Sequence, residues 1–298
     1  RRHSRAPLLP IPVGQAFECI ACDCLGPFVE STSENRYIVV FSDYLTRWPE
    51  AFAVPNIEAS IIANLLVEHI LCRHGCPRTF LTDRGSNFTS NLVRHICKIF
   101  NIEKAFTTAY HPQCDGLVER FNATLATMIS MYVSTDDHKD WDTIIPYALW
   151  AYRTTPNAST KESPFYLLYG REPCLPPDVS LLPPTKLSAN IDDHRERIVT
   201  NVQIAHDLAA QNLQKAQQHF KDTYDRLSRE PPFQVGQQAW IYTPKGRKGL
   251  TKKLLHFWHG PFRILEKTSP VNFRVKSNHP RSKPFVVHVN RMKPYYSP

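Results

Sequence analysis

The chain has 298 residues, of which 42% are hydrophobic, and this length and composition suit two or three folded domains rather than a disordered chain. No apolar run approaches the roughly 18 residues of a membrane-spanning helix. No charged-then-apolar start resembles a signal peptide, so we expect a soluble intracellular protein with no membrane partner. The formal net charge is +9, and it is unevenly distributed along the chain.

Residues 1–16 are basic and rich in proline, which indicates an extended connector. From residue 17 to residue 172 the pattern changes to short apolar runs and helical periodicity. We predict strands over 17–22, 37–42, 51–54, 79–82 and 104–108, and helices over 57–71 and 92–100. Hairpin-like strands followed by alternating strands and helices favour an α/β core with a mixed sheet.

Eight cysteines are scattered through these elements instead of framing a small disulfide-linked domain. Cys19, Cys22 and Cys24 have a spacing that could begin a zinc site. Strand alternation separates Cys19 from Cys22, and no matching Cys or His pair follows at zinc-ribbon spacing. We therefore favour buried thiols.

Three acids mark a candidate site. Asp23 and Asp83 each end a predicted strand, and Glu119 lies in the first turn of a helix predicted to begin at Leu117. A single acid of this kind is most often only solvated, but three together suit phosphoryl transfer on a nucleic acid. That chemistry uses two divalent cations about 3.5–4 Å apart, and Mg²⁺ prefers hard oxygen ligands.

The stretch from 110 to 122 is central to this hypothesis. Its breaker pairs, His111-Pro112 and Asp115-Gly116, predict a loop before the helix. We expect the helix to bury the face that carries Phe121, Leu125, Met128 and Tyr132, and to present Glu119, Asn122 and Ala126 on the other side.

Two other polar positions allow more than one interpretation. Asp43 follows the 37–42 run and resembles a catalytic acid by position, but Arg47 lies close to it and we interpret it as structural. Ser86 follows Asp83 in a turn before a helix, where it suits either a phosphate contact or a helix cap.

These residues resemble those of the integrases of retroviruses and, more closely, of gypsy-type LTR retrotransposons. The chain carries four signatures of that family in the family's order: 22–27 (Cys-Asp-Cys-Leu-Gly-Pro), 74–77 (His-Gly-Cys-Pro), 82–88 (Thr-Asp-Arg-Gly-Ser-Asn-Phe) and 110–122. The segments 141–153 and 163–171 also resemble the gypsy-type pattern.

The resemblance implies a ribonuclease H-like fold in which Asp23, Asp83 and Glu119 form the catalytic triad and hold two Mg²⁺ ions, for which Mn²⁺ substitutes. It also favours the DNA-contact interpretation of Ser86 and implies further DNA contacts by Tyr110, Gln113, Asp115 and Asn122. In the family a small zinc-binding module precedes the segment that corresponds to residues 1–13. The given sequence does not contain that module, so we expect a fragment, a processed product or a truncated relative.

Residues 173–230 form a predicted linker. A proline-rich part is followed by a stretch without Pro or Gly, from 191 to 230, whose apolar positions repeat every 3.6 residues. We predict one long amphipathic helix that either spaces two domains or packs against a second copy. Its alanine-rich face favours close packing of a helix pair.

Residues 231–298 hold 13 Lys and Arg and one acid, Glu266, for a net charge of +12, which leaves −3 on residues 1–230. Short predicted strands and basic turns indicate a small β-barrel that binds the phosphate backbone. It resembles the SH3-like terminal domain of gypsy-type integrases. The basic positions we predict to bind DNA are Lys245, Arg247, Lys248, Lys252 and Lys253.

Together these features predict an integrase that performs 3′-end processing and strand transfer of linear retroelement DNA. Its expected partners are double-stranded DNA, from element ends and target, and further copies of itself in a dimer or tetramer. Its expected location is the nucleus and a cytoplasmic retroelement particle. A ribonuclease H-like nuclease and a domesticated, catalytically silent DNA-binding protein are the alternatives.

Overall fold

The computed structural model describes residues 12–83, 85–106, 116–134, 136–175, 191–226, 233–243, 257–277, 279 and 282–296. Within these ranges it does not describe the side chains of 116–119, 191–195, 197 and 198. The described residues belong to two compact units, one within residues 12–217 and one within 218–296. In these ranges, no helix is long and apolar enough to cross a membrane.

The larger unit is built on a five-stranded mixed sheet with the order β3-β2-β1-β4-β5. The antiparallel pairs β1–β2 and β2–β3 form a meander, while β4 and β5 extend the sheet in parallel with β1. The strands are β1 (Cys19–Leu25), β2 (Tyr37–Asp43), β3 (Pro49–Val54), β4 (Thr79–Thr82) and β5 (Glu103–Phe106). The sheet confirms the predicted α/β class.

Helices cover both faces of this sheet. In chain order they are α1 (Ala59–Leu65), which continues through a π-helical turn (Leu66–Leu71) into α2 (Cys72–His74), then α3 (Asn91–Ile99), α4 (Gly116–Tyr132), α5 (Trp141–Thr154), α6 (Pro164–Tyr169) and α7 (Ile191–Asp225). The cap of α3 is Ser90, whose hydroxyl accepts from the Val93 N–H at 3.3 Å. The helix-cap interpretation of Ser86 is therefore wrong.

Strand alternation divides the core into two layers. Along β2, Val39 and Phe41 join a cluster with the α1 side of the sheet, while Ile38 and Val40 join a cluster with α4 and α5. All four side chains are at most 1% exposed. A strand covered on both faces has a continuous run of apolar residues, and residues 37–42 show this pattern.

Asp43 is buried within this core, at 1% exposure. Its Oδ1 accepts from the Phe17 N–H at 2.8 Å, and its Oδ2 accepts from the N–H and hydroxyl of Thr46 at 2.8 and 2.7 Å. Burial raises the pKa of Asp43, and these hydrogen bonds partly offset the rise. The contacts hold the β2–β3 turn and agree with a structural interpretation.

Glu50 is a second buried acid, with several donors around it. Arg153 Nη2 lies 2.7 Å from its Oε2, Trp48 Nε1 donates to its Oε1 at 3.0 Å, and His74 Nε2 lies 3.5 Å from the same oxygen. Burial raises the pKa of Glu50, but His74, Arg153 and Trp48 outweigh it and lower the pKa to about 2.

The alanine-rich face of α7 packs against its own chain. Ala205, Ala209 and Leu213 form a buried cluster with Leu45 and Leu167 of the core unit. The predicted helix is present, and its alanine-rich face packs on the core unit and not on the partner helix that we expected. That the helix spaces two domains stays a prediction. Small side chains let the helix backbone approach the core closely.

The smaller unit contains a five-stranded antiparallel sheet with the order β10-β6-β7-β8-β9. Its strands are β6 (Gln238–Tyr242), β7 (Trp258–Ser269), β8 (Asn272–Ser277), β9 (Phe285–His288) and β10 (Met292–Pro294). This sheet agrees with the predicted SH3-like domain, and within 233–243, 257–277 and 282–296 the edge strands β9 and β10 are not paired with each other. Strand β10 was not predicted.

Candidate active site

Asp23 lies within β1, two residues before the strand ends at Leu25, and not at a strand end as predicted. Its Oδ1 accepts from the Cys24 N–H at 2.8 Å. Its Oδ2 accepts from Nδ2 of Asn122, a residue of α4, also at 2.8 Å. The carboxyl group is thus fixed by hydrogen bonds to both oxygens.

The environment of Asp23 favours the neutral acid. Burial raises the pKa of Asp23, the Cys24 N–H lowers it, the charge of Asp83 raises it again, and the Asn122 amide lowers it. The net direction is upward. The described residues show no ion pair between Asp23 or Asp83 and a basic side chain.

Asp83 follows β4 directly, and the parallel register places Cys22 opposite Thr82. The next residues, Asp23 and Asp83, therefore come together at the carboxyl edge of two adjacent strands. The N–H of Gly85 donates to Asp83 Oδ1 at 2.8 Å. A Cβ at Gly85 would lie 3.0 Å from that oxygen and even closer to Asn87 Oδ1, so a larger residue here would displace the Asn87 side chain.

Helix α4 brings Asn122 to this edge. Asn122 is only 8% exposed and contacts Asp23, whereas the sequence pattern assigned it to the outward DNA-facing side. Phe121 and Leu125 are buried as predicted, but Tyr132 is 74% exposed. Glu119 lies in the first turn of α4 as predicted, and its side chain lies outside the description.

The predicted DNA contacts are mostly untested by the structure. Ser86 is exposed and lines an open cavity of about 400 Å³ together with Tyr37, Asn56, Glu58 and Asn87. Its contact with DNA stays a prediction. The remaining predicted contacts lie outside the described residues: Tyr110, Gln113, Asp115, Lys245, Arg247, Lys248, Lys252 and Lys253.

The cysteines near this edge do not form a zinc site. Cys19 and Cys22 are buried as predicted, and Cys24 is half-buried beside Asn87, whose Nδ2 lies 3.8 Å from its Sγ. Burial raises the pKa of Cys19 and of Cys24 to about 12, which opposes the thiolate that a metal needs. In the described ranges no group of three His, Cys, Asp or Glu side chains could hold a metal ion.

Comparison with known proteins identifies the family. Residues 15–112 match the integrase core domain, and residues 260–294 match the integrase p58 C-terminal domain. The Retrovirus-related Pol polyprotein from transposon 412 of Drosophila melanogaster, a gypsy-type element, is 28% identical over 283 residues, which is 95% of this chain and 22% of that protein. The chain belongs to the retroviral and retrotransposon integrases.

Further matches within the integrase family are consistent with this assignment. The Pol polyprotein of Radiation murine leukemia virus (strain Kaplan) is 30% identical over 247 residues, 80% of this chain and 39% of that protein. This integrase chain thus spans less than half of the curated relatives it matches. Among solved structures, the chain is similar to one of the simian T-cell lymphotropic virus intasome in complex with PP2A regulatory subunit B56 gamma, with a TM-score of 0.59 and 16% sequence identity. The match covers 100% of this chain and 85% of that one. At this identity it supports the fold alone.

Proposed function

We propose that the chain catalyses DNA integration, by 3′-end processing of linear retroelement DNA followed by strand transfer into a target duplex. The observation that carries this proposal is the juxtaposition of Asp23, within β1, and Asp83, directly after the adjacent parallel strand β4, in an integrase core. In processing, water breaks a phosphodiester near the element's 3′ end. In strand transfer, the freed 3′-hydroxyl attacks a target phosphodiester and releases a target 3′-hydroxyl.

Asp23, Asp83 and Glu119 are the proposed metal ligands. Their donors are hard oxygens, the charge of Asp83 acts on Asp23, and neither acid forms an ion pair with a basic side chain in the described ranges. Such a pair suits Mg²⁺ or Mn²⁺. When bound, two such ions polarise the reacting phosphate and stabilise the attacking and leaving oxygens.

The protein's own contribution is to orient these oxygens. Asn122 holds Asp23 through Oδ2, and the Gly85 N–H holds Asp83 through Oδ1, so both carboxylates are fixed before a ligand arrives. Position 119 lies one helical turn before Asn122 on α4, and residues spaced by three share a helix face. This spacing supports Glu119 as the third ligand.

A strand-transfer assay tests the proposal. The purified chain is incubated with a short duplex ending in CA-3′, a plasmid target and Mg²⁺ or Mn²⁺, next to Glu119→Gln and the control Glu103→Gln. Glu103 is exposed on β5, so its variant should join DNA like the parent, while Glu119→Gln should give no joined product.

The products also separate the alternatives. A shortened duplex without joined product would indicate a nuclease, and DNA binding without any product would indicate a silent binder. Equal joining by the parent and Glu119→Gln would refute the proposed triad. The double-stranded DNA partners, the dimer or tetramer and the nuclear location are further parts of the proposal.

A further inference from the structure

A half-buried lysine contacts the end of the strand that leads to Asp83. Lys104 of β5 lies opposite Phe80 of β4 in the parallel register. Its Nζ donates a hydrogen bond to the hydroxyl of Thr82, the last residue of β4. Because Thr82 is 0% exposed, the ammonium group of this lysine reaches into the core, one residue before a proposed metal ligand.

Three aromatic rings lie around this ammonium group. Nζ of Lys104 is 4.2 Å from the ring centroid of Phe80 and 4.9 Å from that of Phe106. The ring centroid of Phe88 is 5.7 Å away. Cation–π attraction stabilises the charge at these distances. An apolar side chain of similar length would fill the same space without the cost of removing a charge from water, so packing alone does not require a lysine here.

The hydroxyl of Thr82 connects Lys104 to Asp83. It accepts from the ammonium group and donates to the backbone carbonyl oxygen of Asp83 at 2.9 Å. A hydroxyl has one donor and two acceptor lone pairs, so it can make both hydrogen bonds at once. Successive hydrogen bonds polarise one another, so a charged donor at one end strengthens the bond at the other. Two hydrogen bonds in series therefore link Lys104 to the main chain of Asp83.

The main chain of Asp83 determines where its carboxylate points. Strand β4 ends at Thr82, and the Thr82 hydroxyl binds the first carbonyl group after the strand. The carboxylate itself accepts from the Gly85 N–H at 2.8 Å. One contact thus acts on the main chain of Asp83 and the other on its side chain. Both restrict a residue whose oxygens need an accurate position to bind a metal ion.

We propose that Lys104 is a positioning residue for the metal site: through Thr82 it fixes the main chain of Asp83, and with it the carboxylate, before a metal ion binds. The inference rests on the proposed function, because it takes Asp83 as a metal ligand. Lys104 itself contacts neither the metal nor the DNA. Loss of a supporting residue of this kind typically lowers metal affinity or activity by about 10–100-fold.

Binding of Mn²⁺ to the protein without DNA tests this proposal without reference to catalysis. Calorimetric titration would compare the parent with Lys104→Met, because methionine is unbranched and packs well against aromatic rings. Lys98→Met is the matched control, since Lys98 is exposed on α3 and its loss removes one positive charge elsewhere. Thermal unfolding of the same proteins without metal separates positioning from a loss of structure.

We expect Lys104→Met to bind Mn²⁺ roughly tenfold to a hundredfold more weakly than the parent and to unfold within about 4 °C of it. Lys98→Met should equal the parent in both measurements. A lysine that only supports the fold would lower the unfolding temperature and the metal affinity together. Equal Mn²⁺ affinity of the parent and Lys104→Met, or a weaker affinity with a larger loss of stability, would overturn the proposal.

Variants of Thr82 test the path between Lys104 and Asp83. Thr82→Val keeps the shape of the side chain and removes the hydroxyl, whereas Thr82→Ser keeps the hydroxyl. Thr82→Val should weaken Mn²⁺ binding about as much as Lys104→Met, and the double variant should add little, because both changes break the same connection. Thr82→Ser should bind Mn²⁺ nearly as well as the parent. Additive losses in the double variant, or equal losses in Thr82→Ser and Thr82→Val, would also overturn the proposal.

Strand transfer at increasing Mg²⁺ distinguishes failure of this inference from failure of the proposed function. Lys104→Met should need more Mg²⁺ than the parent for half-maximal joining, and its rate should approach that of the parent at saturating Mg²⁺. If the parent joined no DNA, the proposed function would be refuted, and the Mn²⁺ titration would still decide the contribution of Lys104. Joining with the same Mg²⁺ dependence in the parent and Lys104→Met would refute the positioning residue alone.

Discussion

Asn122 illustrates what a helical pattern predicts and what it does not. A polar residue outside the apolar stripe of α4 is expected to face solvent, yet Asn122 is buried against Asp23. The pattern separates apolar from polar positions, but a polar position can face a polar site as well as water. The acids at positions 23 and 83 could be predicted because each accompanies a strand; their hydrogen bonds could not.

Replacing Asn122 with alanine should weaken catalysis without unfolding the protein. The change removes the hydrogen bond to Asp23 Oδ2, and losing such a supporting contact typically costs about 10–100-fold in metal affinity or activity. Strand-transfer rates at increasing Mg²⁺ would measure this loss. Thr127→Ala, at an exposed position on the same helix, is the control and should leave the rates unchanged.

Glu50 gives a prediction about acid stability. Its pKa of about 2 lies below the ordinary value of 4.5, so its contribution to folding is present above pH 4.5 and is lost as the pH falls toward 2. Glu50→Gln should cost on the order of 3 kcal/mol at neutral pH, because it leaves Arg153 partly buried beside a neutral group. The free energy of unfolding of this variant should also no longer show the decrease between pH 4.5 and 2 that protonation of Glu50 causes.

Denaturant unfolding at neutral and acid pH would measure both effects of Glu50→Gln. Glu18→Gln is the control, because Glu18 pairs at 3.5 Å with Arg78, whose side chain is 77% exposed. An exposed pair contributes at most about 1 kcal/mol. If Glu50→Gln and Glu18→Gln lowered the free energy of unfolding equally, the buried contacts of Glu50 would contribute no more than an exposed ion pair.

At the scale of elements, α7 could be predicted as a helix, but the surface that its alanine-rich face covers could not be predicted. A 3.6-residue repeat without Pro or Gly specifies a helix, whereas the surface it covers depends on Leu45 and Leu167, which lie far away in sequence. Short strands are also difficult to predict from the local sequence, because their pairing depends on distant residues. The three residues of β10 carry no period of their own and form a strand because β6 pairs with them.

Enlarging the small residues of α7 should separate it from the core. Ala209 is 0% exposed, so Ala209→Leu forces additional atoms into a filled contact and should cost about 1–3 kcal/mol. Ala216→Leu, at an exposed position of the same helix, should change stability by less than about 0.5 kcal/mol. Thermal unfolding of both variants would decide, and equal stability would show that α7 does not pack as described.

At the scale of the whole molecule, the fold class and the charge distribution could both be predicted from the sequence, but from different observations. The α/β order of the larger unit could be predicted because each strand and helix has its own apolar pattern. The surplus of +12 in residues 231–298 was visible in composition alone. Closure of the smaller sheet could not be predicted, since it depends on which edge strands pair.

The charge surplus predicts salt-dependent DNA binding. Each basic side chain on a phosphate should contribute about 0.9 to the slope of log K against log salt. Lys252→Gln with Lys253→Gln should therefore reduce the slope by about 2. Fluorescence anisotropy with a duplex in EDTA would measure it. Lys98→Gln with Lys215→Gln removes the same charge from exposed helix positions outside residues 231–298 and should leave the slope unchanged.

The π-helical turn between α1 and α2 has a consequence for comparing sequences. In a π turn the backbone bonds run from residue i to i+5, so the segment Leu66–Leu71 accommodates one residue more than a regular helix over the same faces. A relative with a regular helix here would carry one residue fewer between Ala59 and His74. An alignment of the two chains therefore needs a single-residue gap inside a helix, a place where gaps are normally penalised.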